Sequence, residues 1–203
     1  MNQRNYQKEL DYLIAQNRTK QKVPSLYLHS CCAPCSSYVL EYLSEYFRIT
    51  VFYYNPNIYP KEEYWKRVEE QQRLITQMPF SHSVQFAEGE FDERRFYETV
   101  RGLEKEPEGG ARCEQCFRLR LAETAKRAKE AGADYFATTL TISPLKNASL
   151  INQIGEELAA EYGISWLPSD FKKKNGYKRS TELSATYGLY RQDYCGCVFS
   201  VRK

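Results

Sequence analysis

Seven cysteines form three tight groups, and the chain has no cysteine elsewhere. The groups are Cys31-Cys32-x-x-Cys35, Cys113-x-x-Cys116 and Cys195-x-Cys197. Cysteines that serve as small core residues would be scattered, whereas C-x-x-C and C-x-C spacings bring sulfurs close enough to bind one metal or to form a redox-active disulfide. The pattern predicts one active centre built from three distant parts of the chain, with all seven cysteines as candidate metal ligands.

The spacing leaves the identity of the metal open. Thiolates favour zinc, copper(I) and iron-sulfur clusters, and four thiolates are the usual set for a 4Fe-4S cluster or a structural zinc ion. Adjacent cysteines such as Cys31 and Cys32 are awkward in a zinc ribbon, which favours iron-sulfur or redox chemistry. The role of Cys35, one turn into a predicted helix, stays open between a ligand, a spare ligand and a core residue.

Cys195 and Cys197 are separated by a single residue. A disulfide across so short a spacer is strained and therefore readily reduced. The pair is predicted to be redox-active, and the alternative is that both thiols are simply metal ligands.

A secreted disulfide framework fits this sequence poorly. The cysteine count is odd, the length of 203 residues is well above the small disulfide-stapled class, and the first 22 residues contain no apolar run suited to a signal peptide. No stretch approaches the roughly 20 apolar residues that span a bilayer. We therefore expect a soluble protein of the reducing cytoplasm that does not bind a membrane.

The positive charge is concentrated near the C-terminal end. Segment 171–191 carries six basic residues and one acidic residue, a local excess larger than the net charge of +3 of the whole chain. An anionic partner is expected to dock there. The candidate phosphate contacts are Lys172, Lys173, Lys174, Lys178 and Arg179.

Five short β-rich runs alternate with helical patterns, at residues 25–30, 48–54, 83–87, 134–140 and 164–167. This alternation predicts an α/β fold with a Rossmann-like parallel sheet of about five strands flanked by helices. Such sheets bind ligands beyond the carboxyl ends of their strands, where the strand order reverses. Cys31 follows the first run and segment 141–144 follows the fourth, so both are expected to face one crevice.

The chain length suits one domain. Residues 23–203 are assigned to a catalytic α/β domain, and residues 1–22 to a helical extension that precedes it. Pro60 predicts the start of one helix and Gly163 the end of another. From Asp170 onward, a basic helical segment is expected to end in Cys195 and Cys197 and to cover the crevice.

Four separated segments resemble, in the same order, the QueH family of non-cobalamin epoxyqueuosine reductases. They are residues 29–36 (HSCCAPCS), 112–121 (RCEQCFRLRL), 138–147 (TTLTISPLKN) and 170–197. The resemblance extends from about residue 23 to the C-terminus. It implies a fold like that of the adenine-nucleotide α-hydrolase (HUP) group. Segment 31–37 lacks the glycine-rich pyrophosphate loop of that group, so no activation by ATP is expected.

The resemblance implies a tRNA-modifying reductase. Its expected reaction converts epoxyqueuosine to queuosine at the wobble position of tRNAs with GUN anticodons (the Asp, Asn, His and Tyr type), which is the last step of queuosine biosynthesis and needs an external electron donor. The expected ligands of a 4Fe-4S cluster are Cys31, Cys32, Cys113 and Cys116. Cys195 and Cys197 are expected to cycle between dithiol and disulfide or to hold a second, mononuclear iron. Some relatives have Asp at the position of Cys35.

Two other functions fit parts of the pattern. A cluster-dependent tRNA thiolation enzyme of the same fold group would need an ATP-binding loop, which the sequence lacks. A zinc-bound RNA-binding protein without catalysis would need only the cysteines and the basic segment. For a reductase, the nearest candidates for proton donors are Asp170, Tyr177 and Asp193.

Overall fold

The computed structural model of the chain describes residues 4–201. Its centre is one sheet of five parallel strands in the order β3-β2-β1-β4-β5. The strands are β1 (Ser25–His29), β2 (Arg48–Tyr53), β3 (Val84–Glu88), β4 (Tyr135–Thr138) and β5 (Ser165–Trp166). The prediction of a parallel α/β sheet of about five strands is therefore confirmed.

Two strands are shorter than the sequence predicts by at least two residues, and β1 and β2 each end one residue early. The fourth run is expected to reach residue 140, but β4 ends at Thr138, whose side chain accepts a hydrogen bond from the amide of Leu140 at 3.1 Å. This bond starts a 3₁₀ turn over Thr139–Ile142. The fifth run forms only the two residues of β5, which pair with the start of β4.

Seven helices flank the sheet within residues 4–201. They are α1 (Tyr6–Thr19), α2 (Ala33–Leu43), α3 (Lys61–Gln77), α4 (Glu93–Thr99), α5 (Ala111–Glu130), α6 (Ala148–Tyr162) and α7 (Gly176–Thr186). Pro60 is the N-cap of α3, and Gly163 ends α6 in the left-handed conformation with φ 64°, as predicted. None of these helices is both long enough and apolar enough to cross a membrane.

The N-terminal helix α1 packs onto the body of the fold. Its Leu10 and Ile14 are buried in the same apolar cluster as Leu28 of β1 and Leu40 of α2. Residues 1–3 and 202–203, which are the outer ends of the predicted extension and catalytic domain, lie outside the described part of the chain.

The C-terminal part differs from the continuous basic helix expected from the sequence. Helix α7 stops at Thr186, because Gly188 takes a left-handed φ of 57° and the amide of Leu189 bonds back to the carbonyl oxygen of Ser184 at 2.8 Å. We call the irregular segment 187–197 the cysteine tail. It brings Cys195 back over the crevice, so the expected covering role is met by this tail together with α7.

Candidate active site

The strand order reverses between β1 and β4, since β1 pairs with β2 on one side and with β4 on the other. The chain leaves these two strands in opposite directions, which opens a crevice beyond their carboxyl ends. Cys31 follows β1, and the 3₁₀ turn Thr139–Ile142 follows β4. Between them the buried ring of His29 contacts the Thr138 hydroxyl at 2.9 Å. The predicted crevice is confirmed.

Cys31, Cys32 and Cys35 form a compact set at the start of α2, which we call the thiol trio. Their three sulfurs all lie within 4.8 Å of one another, and those of Cys31 and Cys32 are 3.9 Å apart. Cys32 is the N-cap with an extended backbone, and Pro34 lies in the first helical turn. Within residues 4–201, this is the one such group of at least three potential metal-ligating side chains.

The second pair lies in the first turns of α5. Cys113 is half-buried, packs against the apolar cluster that contains Cys31 and Cys32, and accepts a hydrogen bond from the amide of Gly109 at 3.2 Å. Cys116 is buried in a neighbouring cluster. The two cysteines of α5 thus pack in different clusters, and Cys113 is the one that packs against the cluster of Cys31 and Cys32.

The cysteine tail places one cysteine of the third pair at the cavity of the thiol trio and the other beside Cys116. Cys195 lines the same cavity as the thiol trio, whereas Cys197 is buried beside Cys116. The carbonyl oxygen of Gly196 accepts a 2.7 Å bond from the amide of Tyr59, which fixes the turn between the two cysteines. All seven cysteines are free thiols. The structure therefore gathers the three predicted groups at one end of the sheet.

Two guanidinium groups are buried among these sulfurs. Arg120 of α5 is 1% exposed and donates to the carbonyl oxygen of Cys116 at 3.2 Å and to Asn55 at 3.3 Å. Burial opposes its charge, yet the sulfurs of Cys116 and Cys195 raise the pKa of Arg120 above its ordinary value. Its Nη2 atom has no hydrogen-bond partner within the described residues. A buried cation of this kind calls for negative charge on the neighbouring sulfurs.

Arg67 of α3 is the second buried cation, with 2% of its surface exposed. It pairs with Glu63 at 2.7 Å, and its Nη2 atom also lacks a partner within residues 4–201. Burial would lower the pKa of Arg67, but the sulfur of Cys32 and the carboxylate of Glu63 raise it. Lys146 is a third cation at this site, because the sulfurs of Cys195 and Cys31 raise the pKa of Lys146 against the effect of burial.

The thiol trio is electrostatically uneven. Hydrogen bonds from Cys32 and Cys35 hold the pKa of the Cys31 thiol well below its ordinary value. The hydrogen bond to Cys31, with burial and the negative charge on Cys31 adding to it, raises the pKa of Cys32 to about 12. Burial raises the pKa of Cys116 to about 12 as well. Cys31 is therefore the first of these thiols to become a thiolate, which is the form that binds metals and reacts.

A cavity of about 190 Å³ opens onto the thiol trio. Its walls include Arg67, Lys146, Tyr177, Arg191, Asp193 and Cys195. Two of the predicted proton donors, Tyr177 and Asp193, therefore line the cavity that opens onto the sulfurs. The third, Asp170, instead borders a neighbouring cavity and pairs with Lys172 at 3.0 Å.

Three of the five predicted phosphate contacts are already paired with a carboxylate of the protein. Lys172 pairs with Asp170, Lys174 pairs with Asp11 at 2.7 Å, and Arg179 pairs with Glu41 at 2.6 Å. Lys173 and Lys178 form no ion pair with the residues that the structure describes. The charge excess counted along the sequence therefore overstates the free positive charge.

Arg67, Arg120 and Lys146 are site residues to which the sequence alone assigns no role, although the last two lie inside the family-like motifs. A signal for Arg67 is present, because it falls on the face of α3 that also carries Tyr64 and Val68. A charged residue on an apolar helical face indicates a buried charge with a specific partner.

Comparisons with known proteins agree with the motifs. The family model described as epoxyqueuosine reductase QueH matches residues 26–203. The epoxyqueuosine reductase QueH of Staphylococcus epidermidis is 45% identical over 203 residues, covering 98% of this chain and 85% of that protein. The Streptococcus pyogenes protein of the same name is 49% identical over 181 residues, covering 88% of this chain and 71% of the relative.

A more distant relative and one solved structure complete the comparison. The epoxyqueuosine reductase QueH of Thermotoga maritima is 38% identical over 178 residues, covering 86% of this chain and 88% of its own. A phosphoadenylyl-sulfate (PAPS) reductase from Candida auris, solved with phosphate, aligns at 14% identity with a TM-score of 0.36, covering 84% of this chain and 92% of that one. From the family match and these relatives, the chain belongs to the epoxyqueuosine reductase QueH family of oxidoreductases.

Proposed function

We propose that this protein reduces epoxyqueuosine in tRNA to queuosine, at the wobble position of tRNAs with GUN anticodons. The observation that carries the proposal is the convergence of three cysteine groups at the reversal point between β1 and β4, in a chain of this family. Because tRNA is the substrate in this proposal, we expect the protein to act in the cytoplasm.

The side chains at the crevice fit a thiolate-bound metal centre. The thiol trio offers three sulfurs within 4.8 Å, and the buried guanidinium groups of Arg67 and Arg120 each have an unpartnered nitrogen within the described residues. Anionic sulfur ligands would balance these buried cations. We propose that a 4Fe-4S cluster is held by Cys31, Cys32, Cys113 and Cys116, with Cys35 as the competing ligand. When bound, such a cluster supplies single electrons or a Lewis-acidic iron.

Cys195 and Cys197 are proposed to provide the reducing equivalents next to the substrate. Converting the epoxide to an alkene and water consumes two electrons and two protons. Oxidation of the two thiols to a disulfide releases the same two electrons and two protons, and an external electron donor then restores the dithiol. In the alternative form of this proposal, the pair holds a second, mononuclear iron.

Other cavity residues are proposed to bind the substrate and to supply protons to it. Lys146 faces the sulfurs of Cys31 and Cys195, so its ammonium group is placed to hold an oxygen that gains negative charge as its bond to carbon breaks. Tyr177 is 44% exposed at the cavity wall, where its ring can stack on a base and its hydroxyl can donate a proton. Asp193 on the same wall is the second proposed proton donor.

A reaction with tRNA carrying epoxyqueuosine tests this proposal. The anaerobically purified protein is incubated with that tRNA and a reductant, and the digested nucleosides are analysed by mass spectrometry. We expect the modified nucleoside to lose one oxygen. The protein itself should contain iron and acid-labile sulfide and should show a broad visible absorbance band. A protein that contains zinc without sulfide and leaves the nucleoside unchanged would support an RNA-binding role instead, and a thiolated nucleoside would support the thiolation enzyme.

A further inference from the structure

One face of helix α3 carries a line of charged side chains that contact the cysteine tail. We call this line the α3 polar stripe, and its members are Glu63, Lys66, Arg67, Glu70 and Arg73. Lys66, Arg67 and Arg73 each lie three or four residues from Glu63 or Glu70, and these two are seven residues apart, which places all five on one side of the helix. Two pairs within the stripe are already joined, Arg67 to Glu63 at 2.7 Å and Arg73 to Glu70 at 2.8 Å.

The far end of the stripe fixes the beginning of the cysteine tail. Arg73 donates to the carbonyl oxygens of Tyr187 at 3.0 Å and of Gly188 at 3.2 Å. Glu70 accepts the backbone amide of Tyr190 at 2.7 Å. The hydroxyl of Tyr190 then donates to Glu63 at 3.2 Å, so the tail runs antiparallel to the stripe toward the thiols.

The end of the stripe that lies nearer the thiol trio contacts Cys195 through Arg67. Arg67 donates from Nη1 to the carbonyl oxygen of Cys195 at 3.5 Å, and its guanidinium lies 5.3 Å from the ring centre of Tyr194. Gly196 has a φ of 117°, and a Cβ atom at that position would lie 3.0 Å from Nη1 of Arg67. The absence of a side chain at residue 196 is therefore what lets the tail approach this guanidinium.

We infer that Arg67 is a positioning residue, which sets where the sulfur of Cys195 lies relative to the thiol trio. The fork of the guanidinium is needed because one side chain must bind Glu63 through Nε and the tail through Nη1 at the same time. This inference rests on the proposed function, in which Cys195 and Cys197 are the redox pair.

The conservative variant Arg67→Lys tests the inference, since lysine keeps the charge but cannot make both contacts. Alkylation of each cysteine is followed by peptide mass spectrometry on the anaerobically purified full-length protein. We expect Cys195 to react about tenfold faster in the variant, as the removal of one hydrogen bond predicts, while Cys113 reacts at the wild-type rate. Turnover should fall with unchanged tRNA affinity.

Two further variants complete the test. Gly196→Ala crowds Nη1 of Arg67 from the tail side and also strains the backbone at φ 117°, so it should give faster alkylation of Cys195 even where Arg67→Lys folds poorly. Glu69→Gln is the matched control, because Glu69 is exposed on α3 outside the stripe, and it should match the wild type in every measurement. Unchanged alkylation of Cys195 in Arg67→Lys overturns the inference, whatever the result for Gly196→Ala.

The alkylation rates do not depend on turnover, so the two proposals can fail separately. If the wild-type protein leaves epoxyqueuosine unchanged while Arg67→Lys exposes Cys195, the proposed function is wrong and the positioning contact is real. If the wild type converts the substrate and alkylation is the same in all variants, the reductase proposal stands and the role of Arg67 is wrong.

Discussion

The sulfur atoms of Cys31 and Cys32, which are adjacent in the chain, lie 3.9 Å apart at the N-terminus of α2. The extended backbone of Cys32, with φ −171° and ψ 156°, turns its side chain toward Cys35 one turn later. Three sulfurs from one helix start thus face a single point. The proposed cluster takes Cys31 and Cys32 from this set, so its other two ligands must come from another element, and α5 offers Cys113 and Cys116.

Replacing Cys113 or Cys116 by Ala is expected to abolish the cluster and the reduction of the epoxide. Each change removes one of the four proposed thiolate ligands, and a 4Fe-4S cluster is usually bound by four. Iron and sulfide per chain, visible absorbance and conversion of modified tRNA are the measurements. Full iron, sulfide and activity in either variant would show that the ligand assignment is wrong.

Cys35→Ala is the comparison for these two variants. Cys35 belongs to the compact thiol trio, so the geometry makes it a competitor of the cysteines on α5. A partial loss of iron fits the role of a spare or second-metal ligand. Complete loss would make Cys35 an obligatory ligand and would remove Cys113 or Cys116 from the set.

The sheet and its crevice could be predicted because their signals are local. Short β-rich runs with intervening helical patterns determine a parallel sheet, and Cys31 directly follows the first of them. The cysteine tail could not be predicted in this way. Its contact between Arg67 and Cys195 joins residues that are 128 positions apart, and the stop of α7 depends on the left-handed conformation of Gly188.

The basic segment shows the same limit for electrostatics. Its charge excess is correct along the sequence, but Lys174 pairs with Asp11 and Arg179 pairs with Glu41, which lie 163 and 138 residues away. Only the folded chain shows which cations already have a carboxylate partner. A charge count can therefore predict an anionic partner without identifying the residues that bind it.

The double variant Lys173→Ala with Lys178→Ala is expected to weaken tRNA binding and to flatten its salt dependence. These lysines have no carboxylate partner within residues 4–201, so they are free to contact phosphates. The slope of log affinity against log salt should fall in magnitude by between about 1 and 2, because two ammonium groups no longer neutralise phosphates. Titrations at several salt concentrations measure it, and cluster content should not change.

Two further double variants serve as controls for this prediction. Lys172→Ala with Lys174→Ala should have a smaller effect, because both ammonium groups already face Asp170 and Asp11. An exposed pair outside the segment, Lys61→Ala with Lys126→Ala, should leave the slope unchanged. An equal slope in all four proteins would mean that the basic segment does not bind tRNA.

The attachment of the cysteine tail is expected to depend on pH through Glu70. The hydrogen bond from Arg73 holds the pKa of the Glu70 carboxyl below its ordinary value, and the amide of Tyr190 adds to this effect. Because the folded pKa is lowered, the stabilisation from the carboxylate is fully present above the unfolded pKa and is lost as the pH falls through the folded one. Exchange protection of the Tyr190 amide should therefore fall only below about pH 4.3, to about the level of a neutral acceptor.

Glu70→Gln provides the matched comparison, since glutamine is neutral at every pH and still accepts a hydrogen bond. Protection of the Tyr190 amide near neutral pH should be roughly fivefold lower than in the wild type. It should also show no loss on acidification through this range. The same acid-induced loss in both proteins would assign the pH dependence to another group.

Cys197→Ser is expected to keep the cluster and tRNA binding but to lose turnover. Cys197 is 7% exposed, and its thiol lies 3.5 Å from the hydroxyl of Ser200, so a serine of similar size fits the same position. The variant lacks the second thiol that a dithiol needs to deliver two electrons. Iron and sulfide content, tRNA affinity and single-turnover conversion separate binding from chemistry.

The oxidised wild-type protein tests the same pair from the other direction. Alkylation and mass analysis after exposure to air should show Cys195 linked to Cys197, while Cys195→Ser should leave Cys197 free. Because a one-residue spacer strains the disulfide, mild reductants should reduce it back to the dithiol. If both thiols stay free after oxidation, or if Cys197→Ser turns over at the wild-type rate, the pair serves as metal ligands or packing groups and the electrons reach the substrate by another route.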